Sequence, residues 1–267
     1  MKIGLSSYAF RWACLNTLSL IDFIKKSVSL GVAGIQVCDN IQYSDLKKSE
    51  LKESLSLLKD NNLYIETGAR GLDNDKLKKQ IDSSIMLGSK ILRLVVEIDR
   101  YSKELTILQQ KEKLIEGLYP IINYAKKMGI LIAIENHATL SGKDVADIIN
   151  TLNDEIIGAC LDTMNSIALL ETPIETAKYL APKLLCVHLK DFRIIKKPDW
   201  FIIEGTALGE GDVNLNSIIY IVKKKSNPFY FIELYISRKK TVKDTLLYEE
   251  NMVRRSISNS KFLEVDI

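Results

Sequence analysis

The sequence predicts an α/β fold made of a single (β/α)8 TIM barrel over residues 1–267. Its length of 267 residues is close to the roughly 250 that such a barrel needs. Short apolar runs also alternate along the chain with longer segments in which apolar residues recur every three to four positions. This alternation is typical of repeated βα units around a parallel sheet, and eight units close a barrel.

Eight apolar runs of about five to eight residues are the predicted strands. In chain order they cover residues 2–7, 34–39, 63–69, 91–97, 130–136, 157–162, 184–190 and 229–234. Helices are predicted between them, near residues 18–30, 45–60, 73–87, 104–128, 142–152, 173–180, 214–225 and 241–257. Gly31, Gly88 and Gly129 each follow a helical segment, where a residue that tolerates left-handed dihedrals is favoured. Asp73 and Ser141 stand where helix N-caps belong.

One stretch, residues 191–213, interrupts this rhythm. It is too long for an ordinary βα connection and is rich in glycine at its end, so we expect an active-site loop here. The loop carries Trp200 and Phe201. These side chains are expected either to cover a pocket or, as is more frequent, to pack within their own loop.

Composition and charge exclude several classes of protein. The net charge of +3 is spread over lysine-rich helix faces and does not indicate nucleic-acid binding. No apolar run is long enough to span a bilayer, and the amino terminus lacks the pattern of a signal peptide, so we expect a cytoplasmic protein. The four cysteines are widely spaced and form no disulfide framework.

Four polar residues end otherwise apolar strands in the second half of the chain: Glu135, Asp162, His188 and Glu233. The carboxyl ends of parallel barrel strands share one rim, where active sites of this fold lie. Three carboxylates and one imidazole suit a single divalent ion such as Mn²⁺, Mg²⁺, Co²⁺ or Zn²⁺. The alternative, that each carboxylate caps a helix or pairs with a nearby lysine or arginine, must hold for all of them at once.

The segments Ile-Glu-Asn, Leu-Asp-Thr, Val-His-Leu-Lys-Asp and Ile-Glu-Leu, in this order, resemble the xylose-isomerase-like superfamily of sugar isomerases and epimerases. The resemblance covers essentially the whole chain. It implies that Glu135, Asp162, His188 and Glu233 bind a divalent metal, and that Glu135 and Glu233 also act as the acid/base pair. It further implies an enzyme that acts on a small keto-sugar or sugar acid through a metal-stabilised enediolate.

A narrower similarity extends through residues 161–171, 188–191, 208–211 and 233–238. These segments resemble the branch that contains the 3-oxo-isoapionate decarboxylases of carbohydrate catabolism. Met164 departs from the glycine expected in that branch, and Lys239-Lys240 replaces an expected proline-containing stretch. The ligand set alone does not distinguish isomerisation or epimerisation from loss of CO₂.

Further residues are candidates for substrate binding: His137, Lys190, Arg70 and Arg238. His137 and Lys190 each lie two positions beyond a predicted ligand, and strand alternation places such residues on the same side. The alternatives are a solvated loop histidine and a solvated lysine. Arg70, like Arg93 within strand four, is equally compatible with a pair to Glu66 or Glu97.

Two other functions remain to be weighed. An endonuclease of the type-IV apurinic class shares the barrel. The site of that class binds three zinc ions through several histidines, whereas this chain has only two histidines. A non-enzymatic sugar-binding barrel would use the four polar residues as a hydrogen-bonded cluster and would bind no metal. The expected partners are therefore a small sugar or sugar acid, without nucleic acid or membrane, and the sequence leaves homo-oligomerisation open.

Overall fold

A computed structural model describes residues 2–263 of the chain. The predicted domain, 1–267, reaches beyond this range, because residues 1 and 264–267 lie outside the described residues. Eight parallel strands close the barrel: β1 (Ile3–Ser6), β2 (Gly34–Val37), β3 (Tyr64–Arg70), β4 (Ile91–Val95), β5 (Leu131–Glu135), β6 (Ile157–Asp162), β7 (Leu184–Leu189) and β10 (Phe229–Ile232). Closure is direct, since Leu5 of β1 is in register with Ile35 of β2 and Ile232 of β10. The predicted fold class and all eight predicted strands are confirmed.

Nine helices accompany the strands within residues 2–263. They are α1 (Arg11–Asn16), α2 (Leu20–Ser29), α3 (Lys48–Asp60), α4 (Asn74–Met86), α5 (Ile107–Met128), α6 (Gly142–Leu152), α7 (Pro173–Leu180), α8 (Leu215–Lys223) and α9 (Val242–Ser260). Their ends follow local chemistry: Ser141 accepts a hydrogen bond from the Asp144 amide in a capping box, and Gly129 ends α5 with a φ of 68°. The eight predicted helices are confirmed, and α1 is an addition that the apolar pattern did not predict.

The connection over residues 191–213 is not an irregular loop. It contains an antiparallel hairpin of β8 (Asp191–Lys196) and β9 (Phe201–Thr206). The carboxylate of Asp191 accepts hydrogen bonds from the amides of Gly209, Gly211 and Val213, which joins the two ends of the connection. A Cβ on Gly211 would lie 2.1 Å from Asp191 Oδ1, so glycine is needed for this closure.

The exposed tip of the hairpin corrects one expectation. Trp200 and Phe201 do not pack within their own connection, because 60% of Trp200 and 68% of Phe201 are exposed. The hairpin instead borders a cavity of about 540 Å³ whose other wall includes Arg11, Trp12 and Tyr235.

The interior of the barrel is divided into an aromatic floor and a polar upper part. At the floor the ring of Phe229 lies 4.5 Å from that of Tyr64 and 4.9 Å from that of Phe231, between centroids. Gly4 and Gly34 make room for these rings, since a Cβ at either would lie within 3 Å of a phenylalanine atom. The buried polar side chains Glu135, Asp162, His188 and Glu233 lie at the opposite, carboxyl-terminal end of the strands. Across residues 2–263, no helix has the length and apolar character that a membrane span requires.

Candidate active site

Four side chains meet at the carboxyl-terminal mouth of the barrel, and they are the four predicted from the sequence. The Nδ1 atom of His188 lies 3.2 Å from Glu233 Oε2, 3.6 Å from Glu135 Oε2 and 3.7 Å from Asp162 Oδ2. All four residues are buried. The consecutive strands β5, β6, β7 and β10 bring them together, because β10 pairs with β7 in the closed sheet.

Asp162 is oriented by the turn that follows β6. Its Oδ1 accepts hydrogen bonds from the amides of Met164 and Asn165, at 2.8 and 3.0 Å, which leaves Oδ2 directed towards the cluster. The side chain of Asn136 makes two hydrogen bonds to the backbone of Asp162: it accepts one from the amide and donates one to the carbonyl. The Asn165 side chain also donates to Glu135 Oε1 at 2.9 Å, so one turn positions two of the four groups.

His188 is oriented from below by Gln36. The Nε2 atom of His188 lies 2.6 Å from Gln36 Oε1, and a donated Nε2–H bond leaves the Nδ1 lone pair facing the carboxylates. Gln36 in turn donates to Glu66 Oε2 at 3.0 Å, and the Tyr64 hydroxyl donates to Glu66 Oε1 at 2.9 Å. A hydrogen-bonded chain thus runs from the aromatic floor up to the imidazole.

Two buried cations accompany the cluster. Lys190 Nζ lies 2.8 Å from Asp162 Oδ2 and 2.7 Å from Glu233 Oε1, and Arg93 Nε forms an ion pair with Glu135 Oε2. Burial alone would raise the pKa of Glu233, but Lys190, His188 and Arg93 lower it to about 2. Burial alone would lower the pKa of His188, whereas Cys160 and the surrounding carboxylates raise it well above its usual value.

Arg93 is connected to the rim of the mouth through a chain of ion pairs. Its Nη1 lies 3.2 Å from Asp39 Oδ1, and Asp39 Oδ2 accepts from Arg70 Nε at 3.1 Å. Arg70 Nη1 lies 3.2 Å from Glu97 Oε2, and Glu97 Oε1 lies 2.9 Å from His137 Nδ1. Arg70 and His137 therefore lie at the mouth on the side of β3 to β5, each paired with Glu97.

The sequence analysis offered Glu66 and Glu97 as alternative ion-pair partners for Arg70 and Arg93. For Arg70 the Glu97 alternative is confirmed, with Asp39 as a second partner. For Arg93 both alternatives are wrong, because its partners are Glu135 and Asp39. Arg93 is opposite Gly68 in the register of β3 and β4, where a Cβ would lie 3.2 Å from Cys38 and 3.5 Å from Arg93 Cδ.

Arg238 is the one predicted substrate contact that the structure does not bring to the cluster. Its side chain is exposed and lines a small cleft with Trp12, Asn16 and Thr245. Lys190, in contrast, lies within the cluster itself. Residues that the sequence analysis did not single out, namely Gln36, Asp39, Asn136 and Asn165, position the predicted groups through the contacts described above.

The donor set fits one divalent cation. Metal–ligand bonds of about 2.0–2.2 Å place neighbouring ligand atoms roughly 3–3.6 Å apart, close to the distances measured from His188 Nδ1. That fully buried Nδ1 has no hydrogen-bond partner among residues 2–263. Buried polar atoms without a partner are rare, and an ion is one of the few things that explains such an atom.

The charges of the mouth lead to the same conclusion. With the imidazoles left out of the count, five carboxylates face three cations, a surplus of two negative charges that one divalent ion would balance. The carboxylates are Asp39, Glu97, Glu135, Asp162 and Glu233, and the cations are Arg70, Arg93 and Lys190.

Glu66 gives the site a pH-dependent stability that can be measured. Burial raises the pKa of Glu66 from 4.5 to about 7, although Gln36 and Tyr64 donate hydrogen bonds to it. The folded state therefore holds a proton that the unfolded state has released, and the free energy of unfolding falls as pH rises from about 4.5 through about 7. Glu66→Gln removes this titration, and the Tyr64 hydroxyl can turn to accept from the new amide.

We expect Glu66→Gln to be more stable than the parent at pH 8, by up to about 3 kcal/mol, and to match it near pH 4.5. Urea unfolding of both proteins across this pH range measures the difference. Glu116→Gln, at an exposed position of α5, is the control and should follow the parent at every pH. Parallel curves for Glu66→Gln and the parent would show that folding does not raise the pKa of Glu66.

The pattern of the family described as Xylose isomerase-like TIM barrel matches residues 24–252, which is most of the chain. The chain belongs to this family. The superfamily resemblance seen in the strand-end segments is thereby confirmed.

Individual relatives of this Xylose isomerase-like TIM barrel are distant. The 3-oxo-isoapionate decarboxylase of Pectobacterium atrosepticum is 23% identical over 265 residues, which cover 97% of this chain and 94% of the relative. A D-psicose 3-epimerase crystallised in the presence of D-fructose superposes with a TM-score of 0.78 at 15% identity, covering 98% of this chain and 99% of that one. An IolI protein with a bound zinc atom has a TM-score of 0.71 at 17% identity, with coverage of 97% and 99%. The two structures share the fold.

Proposed function

We propose that this protein is a divalent-metal-dependent enzyme of the sugar isomerase and epimerase type, which acts on a small keto-sugar or sugar acid through an enediolate. The observation that carries the proposal is the convergence of three buried carboxylates on the unpartnered Nδ1 of His188. In a purely hydrogen-bonded cluster, as in a sugar-binding barrel, we would expect this buried nitrogen to have a hydrogen-bond partner, and it has none among residues 2–263.

Glu135, Asp162, His188 and Glu233 would hold the ion. Oxygen and imidazole donors of this kind suit Mn²⁺, Mg²⁺, Co²⁺ or Zn²⁺, and the related IolI protein was crystallised with zinc. When bound, a divalent ion would polarise a substrate carbonyl and offset the negative charge that develops on its oxygen. Gln36 supports this role because it fixes the ring of His188 with Nδ1 towards the carboxylates.

Glu135 and Glu233 are the proposed acid/base pair. Both are buried at the mouth, on β5 and directly after β10, and β7, which carries His188, lies between these two strands in the sheet. One glutamate would remove the proton next to the carbonyl and the other would return a proton to the neighbouring carbon or to the opposite face. The first outcome is isomerisation and the second is epimerisation.

Loss of CO₂ from a 3-oxo sugar acid is the second candidate, and a specific observation favours it. Lys190 lies 2.7 Å from Glu233 and, together with His188 and Arg93, lowers the pKa of its carboxyl to about 2, which makes Glu233 a weak base. Decarboxylation breaks a carbon–carbon bond and needs no base to remove a carbon-bound proton. The distant relationship to 3-oxo-isoapionate decarboxylase supports the same reaction.

Substrate contacts are proposed on two sides of the acidic cluster. Lys190 lies beside Asp162 and Glu233, where its ammonium can bind a substrate oxygen or carboxylate. Arg70 and His137 lie on the opposite rim and are partly exposed. We also propose that the cavity bordered by the 191–213 connection, Trp12 and Tyr235 takes carbons remote from the reaction, which would make that connection part of the active site. Arg238 is proposed only for an outer contact, since its side chain lies in a separate cleft.

A substrate screen tests the proposal and separates its two reactions. Metal-free protein is supplied with Mn²⁺ and offered ketopentoses, ketohexoses and 3-oxo sugar acids, while isomer ratios and CO₂ release are followed together. We expect turnover of one class that disappears when the metal is chelated. A change in isomer ratio without CO₂ supports the first reaction and CO₂ release supports the second. Activity that persists in full with a chelator would refute the metal dependence.

A further inference from the structure

A buried thiol lies directly beneath the acidic cluster. Cys160 is on β6, two residues before Asp162, and is fully buried inside the barrel. It is in register with Glu135 on β5 and with Cys186 on β7. The register of β6 against β7 shifts between Ala159 and Cys160, and such bulges redirect side chains beside active sites.

The thiol is close enough to share ligands with the cluster above it. Ligand atoms of Glu135, Cys160 and His188 all lie within 4.8 Å of one another, as do those of Asp162, His188 and Glu233. His188 belongs to both sets. Its buried Nδ1 atom has no hydrogen-bond partner in the described part of the chain and lies 3.6 Å from Glu135 Oε2, and Glu135 belongs to the same set as the thiol.

We propose that Glu135, Cys160 and His188 form a second, thiol-containing binding set for soft divalent ions, represented by Cd²⁺. Hard ions such as Mn²⁺ prefer carboxylates, whereas a thiolate selects softer metals. The sulfur–metal bond forms as the Cys160 thiol proton passes to the solvent, so no oxidant is required. Because the two sets share His188, a soft ion held by Cys160 excludes the ion that the upper set would hold.

This inference rests on the proposed metal function only through the ligands shared between the two sets. Its test therefore uses a signal that arises from sulfur alone. Metal-free full-length protein is titrated with Cd²⁺, and the ultraviolet charge-transfer absorbance of a thiolate bound to cadmium is recorded. In parallel, binding of Mn²⁺ is followed by the loss of the free-ion signal in electron paramagnetic resonance.

We expect the parent protein to develop the absorbance band with one equivalent of Cd²⁺ and to release bound Mn²⁺ as it does so. Cys160→Ala should lose the band and still bind Mn²⁺. Cys14→Ala and Cys186→Ala should keep the band, and Cys14 is the matched control because it lies outside the barrel interior, beside the 3-10 turn at Ser7. If Cys160→Ala does not fold, Cys160→Ser is used in its place, with the same expected loss of the band.

Two results would overturn the inference. One is a parent protein that binds Mn²⁺ but gives no band with Cd²⁺, which leaves the proposed function intact. The other is a band that survives in Cys160→Ala or disappears in Cys186→Ala, which assigns the sulfur to another residue. A parent protein that binds neither ion refutes the proposed function as well as this second set.

Discussion

Replacing Glu233 with glutamine is expected to lower kcat by a factor of about 10²–10⁴ on the substrate that the screen identifies. Glutamine has nearly the same shape but cannot carry a proton between substrate atoms. Glu233 is buried, accepts a hydrogen bond from Ser6 Oγ at 2.9 Å and lies 2.7 Å from Lys190 Nζ. The substitution also removes one negative ligand, so Mn²⁺ affinity should fall. Steady-state kinetics and Mn²⁺ titration measure the two effects separately.

The matched control is Glu116→Gln, the same chemical change at an exposed position of α5. Its kcat and its Mn²⁺ affinity should equal those of the parent protein. Full activity in Glu233→Gln would remove Glu233 from both the acid/base pair and the ligand set.

Replacing Arg93 with methionine is expected to lower the free energy of unfolding by about 3–5 kcal/mol in metal-free protein at pH 7. The Arg93 side chain is 1% exposed and pairs with Glu135, which is fully buried, and with Asp39. Methionine fills much of the same volume but leaves the carboxylates without their cation, and an unpaired buried charge is strongly destabilising. Urea unfolding monitored by circular dichroism measures the change.

Arg254→Met is the control for this loss. Arg254 is 61% exposed on α9 and pairs with Glu250, and its replacement should change stability by less than about 0.5 kcal/mol. Adding Glu135→Gln to Arg93→Met should recover part of the loss, because the pair is then removed together. A loss below about 1 kcal/mol for Arg93→Met would show that Glu135 is solvated or protonated in the folded protein.

The barrel and the acidic cluster could be predicted from the sequence because their signals are local. Each strand is an apolar run, and a strand that is buried in the sheet must be apolar almost throughout. Glu135, Asp162, His188 and Glu233 are conspicuous because each interrupts such a run at the end that points to the mouth. The closed order of the strands then brings β5, β6, β7 and β10 side by side.

The partners of Arg93 could not be predicted in the same way. Its charge inside β4 is visible in the sequence, but its partners depend on the strand arrangement that brings Glu135 and Asp39 to its guanidinium. Gln36 had a weaker signal, a lone polar residue between Ile35 and Val37. Only the structure shows that Gln36 faces inward and contacts the Nε2 atom of His188.

The hairpin of β8 and β9 was missed because it has no apolar alternation that distinguishes it from a loop. It is stabilised by pairing between its two strands and by the hydrogen bonds that Asp191 accepts at its base. The glycines at residues 209 and 211 were visible in the sequence. A glycine is needed at residue 211 because the backbone approaches the Asp191 carboxylate closely, and this tertiary contact is not visible in the sequence.

The central claim is that four residues at the barrel mouth hold one divalent ion, and a Mn²⁺ titration of metal-free protein by calorimetry tests it most directly. We predict one Mn²⁺ bound per chain in the parent protein, and no measurable binding in His188→Ala at the same concentrations, with the fold of both checked by circular dichroism. The absence of binding to the parent, or equal binding to His188→Ala, would contradict the claim.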